Sequence, residues 1–213
     1  MTIRSLAPRV LAVILTLIGA SSLVTAQYPK PSPFPIAWEL TFEHGEPRRV
    51  VVPAPGGAPK GYWYMTYSVT NNSDREQVFL PRFEMLTREG KVIESDRNIP
   101  AAVFAKIKQR EGNQFLEPFT SVGGTIRVGE DEAKDGVAIW EEPLPRMGDF
   151  TIFVSGLSGE TITMKDSSGA EVKGPDGKPI ILRKTLQLDY TLPGDERADD
   201  ALVKLVGEHW VMR

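Results

Sequence analysis

Residues 61–86 read GYWYMTYSVTNNSDREQVFLPRFEML, and this stretch decides the predicted fold. Large side chains recur at every second position in its first half. Trp63 and Met65 fall on one parity, and Tyr62 and Tyr64 fall on the other. A period of two is typical of a β-strand that has one face in a core. We therefore predict a strand with Trp63 and Met65 inside and the two tyrosines on the opposite face.

The second half of this stretch predicts a β-hairpin. Residues 71–74 favour a turn, because Asn, Ser and Asp side chains bond to nearby backbone groups. A second strand is predicted from residue 77 onward. Pro81 cannot donate a hydrogen bond to a ladder, so it indicates an edge position or a bulge.

Further strands are predicted wherever a short apolar run lies between turn residues. These runs occupy residues 36–42, 48–52, 92–93, 125–128, 136–141, 150–154, 180–192, 201–206 and 209–212. Turns are predicted at residues 129–132, 166–169 and 174–177. Short strands at this spacing, without alternating helices, favour an all-β antiparallel sandwich over a parallel sheet.

One short α-helix is predicted at residues 100–110, which read PAAVFAKIKQR. Pro100 suits a first turn, Asn98 can cap the start, and Gly112 lies just beyond the end. An apolar stripe along this segment predicts that the helix packs against the sandwich.

The chain divides into three predicted segments. Residues 1–26 are basic, then apolar, then small, which is the order of a secretory signal peptide. A membrane anchor is the alternative, but the apolar run is shorter than a bilayer span requires. Residues 27–35 have proline at alternate positions and predict an extended spacer. Residues 36–213 are predicted to form a single β-sandwich domain, secreted or periplasmic and free of the membrane after cleavage.

Composition sets limits on partners and chemistry. The chain has 213 residues, a formal net charge of −3 and no cysteine. Disulfides and thiol chemistry are therefore impossible, and the core depends on packing alone. A mildly acidic surface argues against nucleic acid and against anionic membranes as partners.

Two motifs resemble the immunoglobulin-like domains of exported bacterial proteins. The first is a strand that ends in Asn-Asn-Ser-Asp, at residues 69–74. The second is a turn and strand marked by Gly129, Glu130, Gly136, Val137 and Trp140, although Val128 stands where the pattern often has proline. The resemblance implies an immunoglobulin-like sandwich with an adhesive or scaffolding role outside the cytoplasm, and it brings no catalytic residues.

The sequence predicts no catalytic residues. A nucleophilic hydroxyl needs an adjacent base, and the two histidines, His44 and His209, lie in segments that read as ordinary turns or surface. Residues 155–159 only approximate a nucleophile elbow. Paired carboxylates on a sandwich could still hydrolyse glycosides, so a secreted hydrolase is the third function considered.

Calcium is the metal that the sequence best accommodates. Glu130, Asp131 and Asp135 supply carboxylate oxygens close together, and a second acidic group includes Asp166 and Asp176. Neither has the spacing of a helix-loop-helix calcium site, so solvated acidic loops are the ordinary interpretation. No cofactor is predicted.

A ligand platform is the remaining possibility. Tyr62 and Tyr64, with Thr66 beside them, would offer rings to a sugar if their face of the strand were exposed. The alternative is that the helix covers this face and buries both rings, which we favour. We thus expect a non-catalytic protein with a binding or structural role at the cell envelope, its partner a protein or a glycan. A carbohydrate-binding module is the second function considered.

Overall fold

The computed structural model describes residues 28–53, 56–143, 147–195, 197–198 and 201–213. Within these residues, the fold is all-β, as predicted. The elements are β1 (Thr41–His44), β2 (Arg48–Val52), β3 (Lys60–Asn71), β4 (Gln77–Phe79), β5 (Arg82–Thr87), β6 (Val92–Glu94), α1 (Ala101–Glu111), β7 (Glu117–Pro118), α2 (Phe119–Val122), β8 (Gly124–Ile126), β9 (Gly129–Glu141), β10 (Phe150–Ser155), β11 (Thr161–Thr163), β12 (Ile181–Thr191) and β13 (Lys204–Met212). Neither of these helices has the length and apolar character needed to cross a bilayer.

Two main sheets contain most of these strands. In sheet 1, β3 is central, with β9 on one side and with β1 and β2 in succession on the other. In sheet 2, β12 pairs with β10, β11 and β13, while β5 and β6 extend the sheet beyond β10. Strands β4 and β8 form a small separate ladder. The pairs are antiparallel, except for the short pairing of β7 with β9.

The predicted alternation along β3 is confirmed. Its core parity contributes Trp63, Met65 and Tyr67, and its other parity packs beneath α1. Side chains of both sheets form the main core, including Phe83, Met85, Trp140, Phe150, Ile152, Leu186, Leu188 and Tyr190. The exclusion of this apolar surface from water is the main stabilising contribution of the two sheets.

The predicted hairpin is wrong. Strand β3 belongs to sheet 1, whereas β5 belongs to sheet 2, so the two are not paired. The buried Asn71 side chain explains the difference: its Nδ2 donates to Arg75 O (2.8 Å) and to Ile126 O (2.9 Å), and its Oδ1 accepts from Ser73 N (3.0 Å). These bonds hold a corner that carries the chain from one sheet to the other.

Helix α1 begins one residue later and ends one residue later than predicted. Its N-cap is Pro100, without a side-chain cap, and Asn98 instead adopts a positive φ of 57°. The predicted end is confirmed: Gly112 is left-handed (φ 65°), and its N–H donates to Lys108 O at 3.1 Å. The four-residue α2 has no counterpart in the prediction.

Basic side chains of α1 reach the edge of sheet 1. Lys106 Nζ donates to Val51 O at 2.7 Å, and Arg110 donates to Arg49 O at 2.6 Å. Both carbonyls belong to β2, the outer strand at this edge. The helix therefore satisfies edge groups that a further strand would otherwise pair with.

Two boundary predictions need correction. Residues 129–132 were expected to be a turn, but β9 already begins at Gly129, which pairs with Asn71 across an irregular register. Residues 36–42 were expected to be the first strand, but β1 begins at Thr41, and Glu39 makes only an isolated bridge to Ser158. In both places, contacts distant in sequence decide the conformation rather than local composition.

The two turns predicted at residues 166–169 and 174–177 are confirmed, and they close two small hairpins. A ring of three hydrogen bonds joins them to the stem formed by β11 and β12. Met164 N–H donates to Ile180 O (2.8 Å), Ile180 N–H to Val172 O (2.8 Å), and Val172 N–H to Met164 O (2.9 Å). Residues 164–180, which contain both turns, are mostly exposed, so backbone hydrogen bonds rather than core packing hold their conformation.

Candidate functional site

The two predicted platform tyrosines are buried. Tyr62 and Tyr64 are 4% and 1% exposed, and they pack with Val103 and Ile107 of α1. Tyr64 Oη donates to Glu111 Oε1 at 2.6 Å. Burial, reinforced by this carboxylate, raises the pKa of the Tyr64 phenol above its usual value. The exposed platform is therefore wrong, and the alternative of a covering helix is the arrangement found.

The predicted calcium ligands do not converge. Glu130 and Asp131 are exposed near the start of β9, whereas Asp135 is half-buried further along the strand. Asp135 Oδ2 accepts a hydrogen bond from Asn113 Nδ2 at 2.6 Å. Among the residues with described positions, no three His, Asp or Glu side chains come together as a metal site.

Thr66 and Asp135, which were predicted for different sites, line one cleft of about 310 Å³. We call it the acidic cleft; it is lined by Glu43, His44, Gly45, Thr66, Tyr67, Ser68, Glu111, Asn113, Leu116 and Asp135. Strand register explains part of its composition, because Glu43, Ser68 and Asp135 are directly opposite one another across β1, β3 and β9. Neighbours paired in this way present their side chains on the same face.

The end of α1 supplies the other wall of the acidic cleft. Glu111 is the last helical residue, and it is paired with Arg48 at 3.3 Å as well as with Tyr64. Asn113 follows just after the helix, held by the Phe115 N–H that donates to its Oδ1 at 2.8 Å. The lining thus combines fixed acceptors with hydroxyl and amide groups, which suits a ligand rich in hydrogen-bond donors.

The histidines lie in different environments. His44 Nδ1 is within hydrogen-bonding distance of two oxygens, Gly45 O at 3.2 Å and Tyr190 Oη at 3.4 Å. His209 lies on β13 in sheet 2, with Nδ1 3.9 Å from Asp189 Oδ2. None of these three contacts pairs an imidazole with a Ser or Thr hydroxyl, which is the arrangement that nucleophilic catalysis requires.

A buried charge cluster attaches the N-terminal segment to sheet 2. Lys184 is 3% exposed and pairs with Glu39 and, at 3.5 Å, with Glu160. Its ammonium also lies 4.9 Å from the centre of the Trp210 ring, and Ser32 N–H donates to Glu160 Oε1 at 2.7 Å. Lys184 thus pairs with acids from two segments of the chain, so we assign the cluster to attachment rather than to ligand binding.

Asp96 is a second unusual acid, and sequence reasoning missed it. Its backbone has a positive φ of 59°, and its N–H donates to Ile139 O at 2.7 Å. Its Oδ2 is buried and has no hydrogen-bond partner among the described residues. Burial raises the pKa of this carboxyl to about 6. The only local signal is a run of turn-forming residues before Pro100, which is common to ordinary loops.

Comparison of the chain with family models, curated proteins and solved structures found no match. The class of protein is therefore defined by the fold and the cleft alone. It is an all-β protein in which two sheets share a core, one short helix covers an outer face, and a polar cleft opens where that helix ends.

Proposed function

We propose that the protein is an exported, non-catalytic binding protein with an immunoglobulin-like sandwich fold, acting in the periplasm or outside the cell. The observation that carries this proposal is the acidic cleft, whose polar groups are fixed by strand register and by the end of α1. Preorganised polar groups of this kind favour binding, because little conformational freedom remains to be lost. The signal-like residues 1–26, which lie outside the described part, support export.

The immunoglobulin-like assignment is supported by how the chain enters the fold. Glu39 bridges to Ser158, beside sheet 2, and a few residues later β1 pairs with β3 in sheet 1. The first extended segment thus passes from beside one sheet into the other, as strands do at the corners of packed-sheet folds.

A binding role is favoured over a hydrolytic one by the partners of the cleft residues. Glu111 is neutralised by Arg48, Asp135 accepts from Asn113, and His44 contacts Gly45 and Tyr190. Hydrolysis by two carboxylates needs one acid held protonated opposite the other. These pairings instead keep Glu111 and Asp135 in fixed, hydrogen-bonded roles.

Carbohydrate binding is the second candidate function. The buried tyrosines cannot serve it, but the row of Glu43, Ser68 and Asp135 offers acceptors to sugar hydroxyls or to the ammonium of an amino sugar. A protein partner at the envelope would bind these acceptors with its own donors, namely lysine side chains or backbone N–H groups.

The test is thermal unfolding of the purified protein with a panel of soluble glycans, including amino-sugar oligomers. A ligand that binds the folded state raises the Tm. We expect Asp135→Asn to abolish the shift, because it removes a cleft acceptor, and Asp131→Asn to retain it, because Asp131 is exposed outside the cleft. A shift that survives Asp135→Asn would refute the assignment of the cleft.

A further inference from the structure

A second cavity of about 260 Å³ lies beside the N-terminal half of α1. Its walls are mostly apolar and come from three elements: Phe104 on α1, Phe119 on α2 and Ile139 on β9 are examples. Asp96 and Thr120 are the polar residues of its lining among those described. We call this space the helix cavity; it lies at the opposite end of α1 from the acidic cleft.

Asp96 is held in place by backbone contacts to both sheets. Its own N–H bonds to Ile139 O on β9, while the N–H of Ser95 donates to Phe83 O on β5 at 2.9 Å. The backbone at Asp96 is left-handed, a conformation that Asp and Asn tolerate better than most residues. The backbone of Asp96 is thus fixed beside the cavity that this residue helps to line.

Ser95 and the backbone of Ile139 bond to the Asp96 carboxyl, but no cation pairs with it among the described residues. Its Oδ2 has no hydrogen-bond donor among the described residues, and the nearby buried Tyr67 Oη is also without a partner. A buried carboxylate without a cationic partner is destabilising, and the raised pKa of Asp96 reports the same cost. A cationic group that entered the cavity would relieve this cost by pairing with the acid.

We propose that the helix cavity binds a small primary amine, with its apolar body against Phe104, Phe119 and Ile139 and its ammonium paired with Asp96. The volume is smaller than that of pockets for drug-sized ligands, so the ligand is limited to a single ring or a short chain. Anionic ligands are disfavoured, because they would meet a like charge. This site is separate from the acidic cleft and extends beyond the proposed function.

Benzylamine is a suitable probe, with benzyl alcohol as a neutral molecule of nearly the same shape. Binding of each to the full chain at pH 7.5 is followed by NMR chemical-shift changes. We expect benzylamine to bind at least ten-fold more tightly than benzyl alcohol, with the shifts centred on Ile139 and Phe119. We expect Asp96→Asn to abolish the difference, because it removes the charge and retains a side chain that tolerates a positive φ.

Two further variants make the result decisive. Asp131→Asn changes an exposed acid on β9 and should leave benzylamine binding unchanged, whereas Ala101→Phe fills the cavity lining and should weaken both probes. The proposal is overturned if benzylamine shows no binding at about 10 mM, far above a typical fragment affinity. It is equally overturned if benzyl alcohol binds as tightly, or if Asp96→Asn retains the preference for the amine.

Discussion

The Tyr67 ring lies across Gly136, the residue directly opposite it on β9. A Cβ atom on Gly136 would lie 2.6 Å from Tyr67 Oη, closer than atoms in a core approach. Tyr67 cannot move aside easily, because its ring also packs against Phe83 with centroids 4.8 Å apart. The Tyr67 ring therefore fits at this point of the core because the residue opposite it on β9 has no side chain.

Gly136→Ala is expected to destabilise the protein by about 2 kcal/mol, the usual cost of overpacking a core. Urea denaturation measures this change directly. Gly123→Ala is the control, since the nearest atoms to its Cβ lie at an ordinary 3.8 Å. Equal stability of the two variants would contradict the requirement for glycine at 136.

Removal of the phenol hydroxyl should lower the stability of the protein at Tyr64 but not at Tyr67. Tyr64→Phe removes a 2.6 Å bond to the Glu111 carboxylate, so we expect a loss of about 1.5 kcal/mol. Tyr67→Phe removes a buried hydroxyl that has no partner in the described structure, so stability should be unchanged or higher. The comparison uses the same chemical change on the same strand. A larger loss for Tyr67→Phe than for Tyr64→Phe would show that Tyr67 Oη is hydrogen-bonded.

The close approach of Gly61 to an ion pair gives a third prediction. Arg49 is buried and binds Glu142 through two bonds, of 2.6 and 3.0 Å, and a Cβ on Gly61 would lie 2.7 Å from Glu142 Cδ. Glu142→Gln should cost about 3 kcal/mol, because Arg49 then keeps a buried charge with a weakened partner. Gly61→Ala should disturb the same pair.

A double-mutant cycle tests whether the two changes act on one interaction. If Gly61→Ala acts by displacing Glu142, the double variant should lose less stability than the two single losses combined. Strict additivity in urea denaturation would show that Gly61 acts elsewhere.

Asp96 should make stability depend on pH in the unusual direction for an acid. Burial raises its pKa from 3.8 to about 6, so the folded state binds a proton that the unfolded state releases. Its contribution to stability is therefore greatest below pH 4 and is lost as the pH rises through 6. At pH 7, we expect Asp96→Asn to be more stable than the native chain by about 2 kcal/mol.

The measurement is the free energy of unfolding of both proteins at pH 4, 5, 6 and 7. The difference between them should grow across this range and level off above pH 6. A difference that does not change with pH would mean that Asp96 is no more protonated when folded than when unfolded.

Local pattern was sufficient for the elements that one stretch of chain determines. The alternation of β3, the helix that ends at Gly112 and the turns at 166–169 and 174–177 follow from side-chain periodicity and turn chemistry, and each was predictable. The pairing of strands could not be predicted in this way. Asn71 looks like a hairpin turn residue, and its bond to the distant Ile126 helps to turn the chain toward the other sheet.

The sites show the same division. Thr66 and Asp135 were identified from their residue types, but the sequence assigned them to separate sites because they are far apart along the chain. Strand register and the docking of α1 bring them to one cleft. Asp96 had no distinguishing local pattern, since its placement depends on the bond of its own N–H to Ile139 and of the Ser95 N–H to Phe83, which no nearby residue indicates.

The contacts of Lys106 and Arg110 with β2 have a consequence for the order of folding. Strand β2 is synthesised before α1, so once β2 pairs with β3 a growing chain has an open β2 edge before the helix that covers it exists. Open edges pair readily with strands of other molecules, and partly folded chains are the species that aggregate. Between the formation of β2 and that of α1, this protein is therefore most prone to aggregate with other copies of itself.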